Sequence, residues 1–257
     1  MSKNTLSYDK NGYIVLKHFF PQEKLNLVQT QLQSIIGHEL AKAGIQATDI
    51  PNEGLLELEQ KDHNIIQRIY DTFSGSDGLL NIVSDTKLRN VIKDLLGLTE
   101  DQAIFNLYHV GRIDPPNDNR FTYGWHQQSY YSIAESDQVQ LWTPLVNRNT
   151  KEMGTISILL DSHKEEIQHH VDQVPDGHKQ MIIGDEEVTH FKEKIIELNP
   201  TDILLFHPLM IHRSNNNVSK KVRYSLVSTF VNPYDPRFRR MTKQEKHDYH
   251  ESRCKTV

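Results

Sequence analysis

The spacing of hydrophobic residues changes near residue 100. Before it, Tyr13-Ile14-Val15-Leu16 reads as a short strand, and Pro21 stands as the first residue of a helix whose inner face is Leu25, Val28, Leu32, Ile35 and Ile36. Residues 53–96 keep a helical period, through Ile65, Ile66 and Ile69 and later Leu88, Val91, Ile92, Leu95 and Leu96. Gly97 stops the last of these helices, since it suits the left-handed conformation beyond a C-terminus. From Ala103 onward the runs are short and strand-like: 104–110, 139–146, 155–160, 203–207 and 222–231. Between them lie turn-rich stretches such as Asp114-Pro115-Pro116-Asn117-Asp118 and Ser214-Asn215-Asn216-Asn217. The order predicts a helical first third followed by an antiparallel β half, a sandwich or jelly roll supported by helices. No linker or repeat divides the sequence, so one domain over 1–257 is expected: helical support at 1–100, a β core at 101–232 and a polar tail at 233–257.

Composition narrows the class. A 25% charged chain of net charge -5 has no basic face for nucleic acid and no polybasic membrane anchor. No apolar run approaches the roughly 20 residues that span a bilayer, and the polar start MSKNTLSYDKNGY is not a secretory hydrophobic region. The single cysteine, Cys254, excludes an internal disulfide and a multi-cysteine metal site. The expectation is a soluble, cytoplasmic protein with a small-molecule partner and neither nucleic acid nor membrane among its ligands.

The candidate chemistry lies in the 14 histidines. His38, His63, His163, His169, His170, His178, His190, His247 and His250 have polar neighbours and read as surface residues; His18, His109 and His207 sit in apolar runs and read as core or strand residues. His126 and His212 each stand where a strand meets a turn. Alone, such a histidine is more often a hydrogen-bonded buried residue than a ligand. Together they are 86 positions apart, and Arg223 follows His212 by 11. A non-haem Fe(II) oxygenase needs two histidines and a carboxylate on one face of the metal. Ligands at i and i+2 share one side of a strand, and a cation deeper in the fold can hold the far carboxylate of 2-oxoglutarate.

With these residues the sequence resembles the phytanoyl-CoA dioxygenase family of Fe(II)/2-oxoglutarate oxygenases. The resemblance rests on Asp9–Leu16 followed by Phe20-Pro21, on Gly154-Thr155-Ile156 with Leu160-Asp161-Ser162-His163-Lys164, on Thr201–His207, and most of all on Phe206–Ser214 with Arg223. It implies a mainly β fold with flanking helices, a double-stranded β-helix of jelly-roll or cupin-like form. It also implies that His126 and His212 are iron ligands, that Arg223 and Ser214 hold the cosubstrate carboxylate with Ser225 as a further hydroxyl, and that Trp142 and Tyr108 line the cosubstrate pocket. Plainer readings stand beside these: Arg223 as a surface ion-pair partner, Trp142 as core, Ser225 as a strand hydroxyl.

The departure is at the third ligand, where the family pattern has Asp and this chain has Gln128. An amide oxygen can coordinate, but it is neutral. Fe(II), two imidazoles, Gln and dianionic 2-oxoglutarate sum to zero, where Asp would give minus one, so Fe(II) should bind less tightly. Glu135 and Asp137 stand too far along to substitute, and Gln fills the room that halogenating relatives leave for chloride. One reading is an oxygenase with a 2-His-1-Gln site acting on a polar small molecule such as a sugar derivative or biosynthetic intermediate. Another is a catalytically silent binding or regulatory module, and a third a non-redox reaction such as epimerisation. Substrate selection is expected from residues 48–59, 112–123 and 165–194, and from one of Tyr130 and Tyr131, which face opposite sides if the strand continues through them.

Overall fold

The computed structural model describes residues 2–120, 122–131, 137–173 and 179–239, with residues 242, 244, 245, 248, 252, 254 and 255. Glu135, His178, His247 and His250 lie outside them. The helices are α1 (Lys3–Asn11), α2 (Gln22–Ala43), α3 (Leu55–Lys61), α4 (Asn64–Ser74), α5 (Asp77–Val83) and α6 (Thr86–Leu95). The strands are β1 (Tyr13–Leu16), β2 (Phe105–Asp114), β3 (Gln138–Pro144), β4 (Ile156–Leu159), β5 (His169–Gln173), β6 (Lys179–Ile182), β7 (Glu193–Ile195), β8 (Ile203–Phe206), β9 (His212–Ser214), β10 (Arg223–Val231) and β11 (Cys254–Lys255). The fold is a mixture of helix and antiparallel sheet rather than mainly β, because the first hundred residues are mostly helical and the strands are short. Among the described residues no helix is long and apolar enough to cross a membrane.

Two elements differ from the sequence expectation for identifiable reasons. The first helix, α1, has too few apolar positions to show a period. It is fixed at its ends instead, by the Ser2 hydroxyl accepting from Thr5 N and by Gly12 in the left-handed conformation. Pro21 caps α2 in an extended conformation, one position before its expected place. Gly97 takes a φ of 66° just beyond α6, as expected.

Five strands form one sheet in the order β1-β8-β3-β10-β2, and β7-β4-β9 form a second. Period-2 alternation sorts the larger sheet's side chains between two environments. Val139 and Leu141 of β3, Ile203 and Leu205 of β8, and Tyr224, Leu226 and Phe230 of β10 join Leu25, Val28, Leu32 and Phe73 of the helices in one buried cluster. The alternate residues face away from the helices. Trp142, Leu204 and Phe206 pack with Ile156 and Ile158 of the second sheet, while Gln140, Ser225 and Thr229 are fully buried polar residues. A sheet with helices on one side has only its other side left for a site, and Gln140, Ser225 and Thr229 lie there.

The turn before β4 is held by Gly154, whose φ is 70° and where a Cβ would fall 2.3 Å from the Asn215 carbonyl oxygen. Gly154→Ala combines a left-handed non-glycine residue with that overlap. It is expected to destabilise the protein by about 2 kcal/mol or more, read as a lower urea midpoint at unchanged m-value. Wild-type stability would show that the turn does not need this conformation.

Candidate functional site

His126 and His212 are direct neighbours across an isolated antiparallel bridge. Each backbone N–H donates to the other's carbonyl at 3.0 Å. Opposed residues in an antiparallel pair carry their side chains on the same face, and the two imidazole centroids are 4.1 Å apart. The Nδ1 atoms face backbone carbonyls, Gly124 O at 2.8 Å for His126 and Met210 O at 2.9 Å for His212. Each Nδ1 therefore carries the proton, and each Nε2 keeps its lone pair for a ligand. Burial favours the neutral rings, pushing His126 down to about 4 and His212 well below the ordinary imidazole range.

Gln128 reaches the same cavity by a different route from the expected strand. Gln127 is extended (φ -107°, ψ 134°), so 126 and 128 share a side, but a 3-10 turn over Gln128–Tyr130 begins at once. Gln127 faces the opposite way and is fully used in holding the segment: Nε2 donates to Glu165 O and Leu209 O, and Oε1 accepts from Ile167 N. Gln128 Nε2 donates to the Tyr108 hydroxyl at 2.7 Å, which leaves its carbonyl oxygen for another partner. Burial keeps Tyr108 protonated, pushing its phenol up to about 12. Among the described residues, no three His, Cys, Asp or Glu side chains gather as a metal-binding group. Gln128 brings an amide, not a carboxylate, to the cavity that the histidine pair lines.

That cavity has a volume of about 460 Å³, within the range of small-molecule sites. His126, Gln128, His212, Tyr108, Trp142, Ser214 and Arg223 all line it. Ser225 does not, although it lies between Arg223 and Val227 on the same face of β10. Its hydroxyl is buried without a hydrogen-bond partner in the protein. Ser225 sits opposite Arg112, and Arg223 opposite Asp114, in the β2–β10 register.

These register positions make a buried charge cluster. Arg223 Nε donates to Asp114 Oδ2 at 3.2 Å, and its Nη1 to the carbonyls of Met153 and Asn215 at 3.2 Å. Arg112 Nη2 meets Asp114 Oδ1 at 2.7 Å. Burial opposes ionisation of Asp114, but the two guanidiniums outweigh it and hold the carboxyl below the usual range. Asp114 is a site residue that the sequence reading missed. Its place before Pro115-Pro116 marks it as a turn, whereas pairing with Arg223 extends β2 through it. The i, i+2 spacing of Arg112 and Asp114 was the available signal.

Tyr131 lines the cavity with its ring 5.2 Å from that of His126, while Tyr130 stacks on His169 at 3.5 Å. The two part company through the 3-10 turn, not through strand alternation. His169, expected at the surface, is fully buried and accepts from Gln127 N at 2.8 Å. His18, expected in a core or strand, is exposed at a turn with a φ of 50°. Of the three segments expected to select substrate, 112–123 contributes Arg112, Ile113, Asp114 and Tyr123 to the lining. Among the described residues, 48–59 and 165–194 contribute none, and Tyr70 of α4 enters instead. The β5–β6 hairpin has another task. Gln180 bonds Thr122 O and Gly124 N, Ile183 N donates to Trp125 O, and Met181 N donates to the Tyr131 hydroxyl. The hairpin braces the segment that carries His126 and Gln128.

Comparison with known proteins places this geometry among relatives. The sequence matches the family model described as Phytanoyl-CoA dioxygenase (PhyH) over residues 8–225. It is 25% identical over 232 residues to a probable phytanoyl-CoA dioxygenase of Caenorhabditis elegans, covering 88% of this chain and 73% of that one. It is 23% identical to ectoine dioxygenase of Sphingopyxis alaskensis, covering 85% and 71%. The fold is similar to that of the epimerase SnoN crystallised with Fe3+, alpha ketoglutarate and nogalamycin RO, with TM-score 0.63, 12% identity and coverage of 90% and 82%.

Proposed function

Because the chain belongs to the phytanoyl-CoA dioxygenase family, a family of Fe(II)- and 2-oxoglutarate-dependent dioxygenases, we propose that it is an oxygenase of a polar small molecule with a 2-His-1-Gln metal site. One domain of jelly-roll form carries it. His126 Nε2, His212 Nε2 and Gln128 Oε1 are the metal donors. Arg223 and Ser214, which line the cavity, take the far carboxylate of 2-oxoglutarate, in a pocket walled by Trp142 and Tyr108; the buried Ser225 stays a strand hydroxyl. The observation that carries the reading is the pair of adjacent, neutral imidazoles, each with Nδ1 committed to a carbonyl and Nε2 left as the coordinating atom.

When bound, iron and 2-oxoglutarate supply O₂ activation, with 2-oxoglutarate converted to succinate and CO₂ as the substrate is oxidised. The protein orients the reactants and keeps the site dry: His126, Gln128 and His212 are each less than a tenth exposed. With neutral donors the metal is held by fewer charges than in a carboxylate site. Selection of the substrate falls to Tyr70, Tyr123, Tyr131 and Arg112 at the cavity wall, a set that suits hydroxyl- or acid-bearing small molecules.

Anaerobic titration of Fe(II) with 2-oxoglutarate present, following the visible charge-transfer band of the chelated cosubstrate, tests the reading. A saturable band is expected, and after admission of air succinate forms with a suitable substrate. Gln128→Asp restores an anionic donor and is expected to tighten Fe(II) binding by about tenfold or more. No band at saturating cosubstrate would favour a binding module that has lost its iron. Unchanged affinity in Gln128→Asp would remove Gln128 from the metal.

A further inference from the structure

A carboxylate has two equivalent oxygens, but an amide has one coordinating end. If Gln128 replaces the aspartate of the family pattern, the site must also choose which end faces the histidines. Turned over, Gln128 would present N–H donors, which a cation repels.

The choice is made behind the ligand. Gln128 Nε2 donates to the Tyr108 hydroxyl at 2.7 Å. Tyr108 lies opposite Thr229 in the β2–β10 register. Thr229 is fully buried and gives its own proton to Gln140 Oε1 at 2.6 Å. A Thr229 oxygen whose proton is committed can only accept from a neighbouring hydroxyl such as that of Tyr108. Gln140 is also fully buried, and its Nε2 has no partner in the protein. Such a chain of two hydroxyls between two amides has two polarities. In the one present, both end bonds, Gln128 to Tyr108 and Thr229 to Gln140, point from Gln128 toward Gln140, and Gln128 Oε1 is turned to the cavity. In the reverse, Gln140 would donate and the Gln128 amino group would face His126 and His212. The orphaned Gln140 Nε2 marks the cost accepted for the first polarity.

We propose that Tyr108, backed by Thr229 and Gln140, is a positioning residue that sets the amide orientation of Gln128 and thereby keeps Oε1 on the metal side. The proposal rests on Gln128 as a metal donor. It explains how an asymmetric side chain can serve at a position where the family pattern has a symmetric one.

The test is Fe(II) affinity, measured by anaerobic calorimetry without turnover, on the wild type, Tyr108→Phe, Gln128→Asp and the double variant. Tyr108→Phe is expected to weaken Fe(II) binding about tenfold in the Gln128 protein, the scale of losing a partner that orients a ligand. In the Gln128→Asp background, where either oxygen can coordinate, the loss is expected to be no more than about twofold. Thr229→Val, which leaves the cavity wall intact, is expected to weaken binding in the Gln128 protein only. Equal losses in both backgrounds, or none in either, would overturn the orienting role. Gln128→Ala separates the two readings. Wild-type affinity in that variant means that Gln128 is not a donor at all. Weakened binding there, with none in Tyr108→Phe or Thr229→Val, removes the orientation inference alone.

Discussion

His212→Ala is expected to abolish metal-dependent turnover and to lower Fe(II) affinity by more than about 100-fold, beyond what loss of a mere supporting partner costs. In the proposed 2-His-1-Gln site no donor is a carboxylate, so each imidazole would carry a larger share of the binding than in a 2-His-1-carboxylate centre. The fold should survive. The strand pairing at this position is made by the backbone of His212 with that of His126, which alanine retains. The variant loses the side-chain bond to Met210 O and the ring contacts with His126 and Phe206. Calorimetric Fe(II) binding and a succinate assay, with circular dichroism as the control for folding, check the result. Unchanged turnover would take His212 out of the site.

Asp114→Ala should produce the largest loss of stability. Asp114 is shared by Arg112 and Arg223, and all three are largely buried. Removing the shared carboxylate leaves Arg223 with only the carbonyls of Met153 and Asn215. Breaking a buried ion pair from one side costs about 3–5 kcal/mol, so a fall in Tm of roughly 10 °C is expected for a chain of this size. Asp114→Asn keeps the volume and one acceptor and should fall between. Because the exposed need is for an anion, added 2-oxoglutarate should recover part of the loss in Asp114→Ala, in proportion to its binding to the folded form. Differential scanning fluorimetry with and without 2-oxoglutarate reads both effects. A Tm within 2 °C of wild type (about 1 kcal/mol or less) would show that the two guanidiniums do not depend on Asp114.

Much of this organisation was legible in the residues. The helical period of 53–96 and the strand-like runs after Ala103 reflect burial against one neighbouring layer, which local patterning records directly. His126, His212 and Arg223 stood out through spacing, and all three line one cavity. What was not legible depends on pairing. Asp114 reads as a turn residue until Arg223 is known to lie opposite. His169 reads as a surface residue until Tyr130 and the Gln127 backbone are known to cover it. The β5–β6 hairpin looks like an insertion free to meet substrate, yet its hydrogen bonds go to the segment from Thr122 to Tyr131.

The sequence by itself determined the family, the two-part order of helix and strand, and the residue types available at the candidate site, including the neutral Gln128 where the family pattern has an acid. Those properties follow from residue type and short-range periodicity. Only the tertiary structure decided which tautomer each histidine holds, which end of Gln128 is free, and which carboxylate Arg223 meets. The tautomers follow from carbonyls two residues back, Gly124 O and Met210 O; the other two are set by hydrogen bonds to another strand, from Gln128 to Tyr108 and from Arg223 to Asp114, 20 and 109 positions apart. No local pattern records such a bond, because its geometry exists only once the strands have paired.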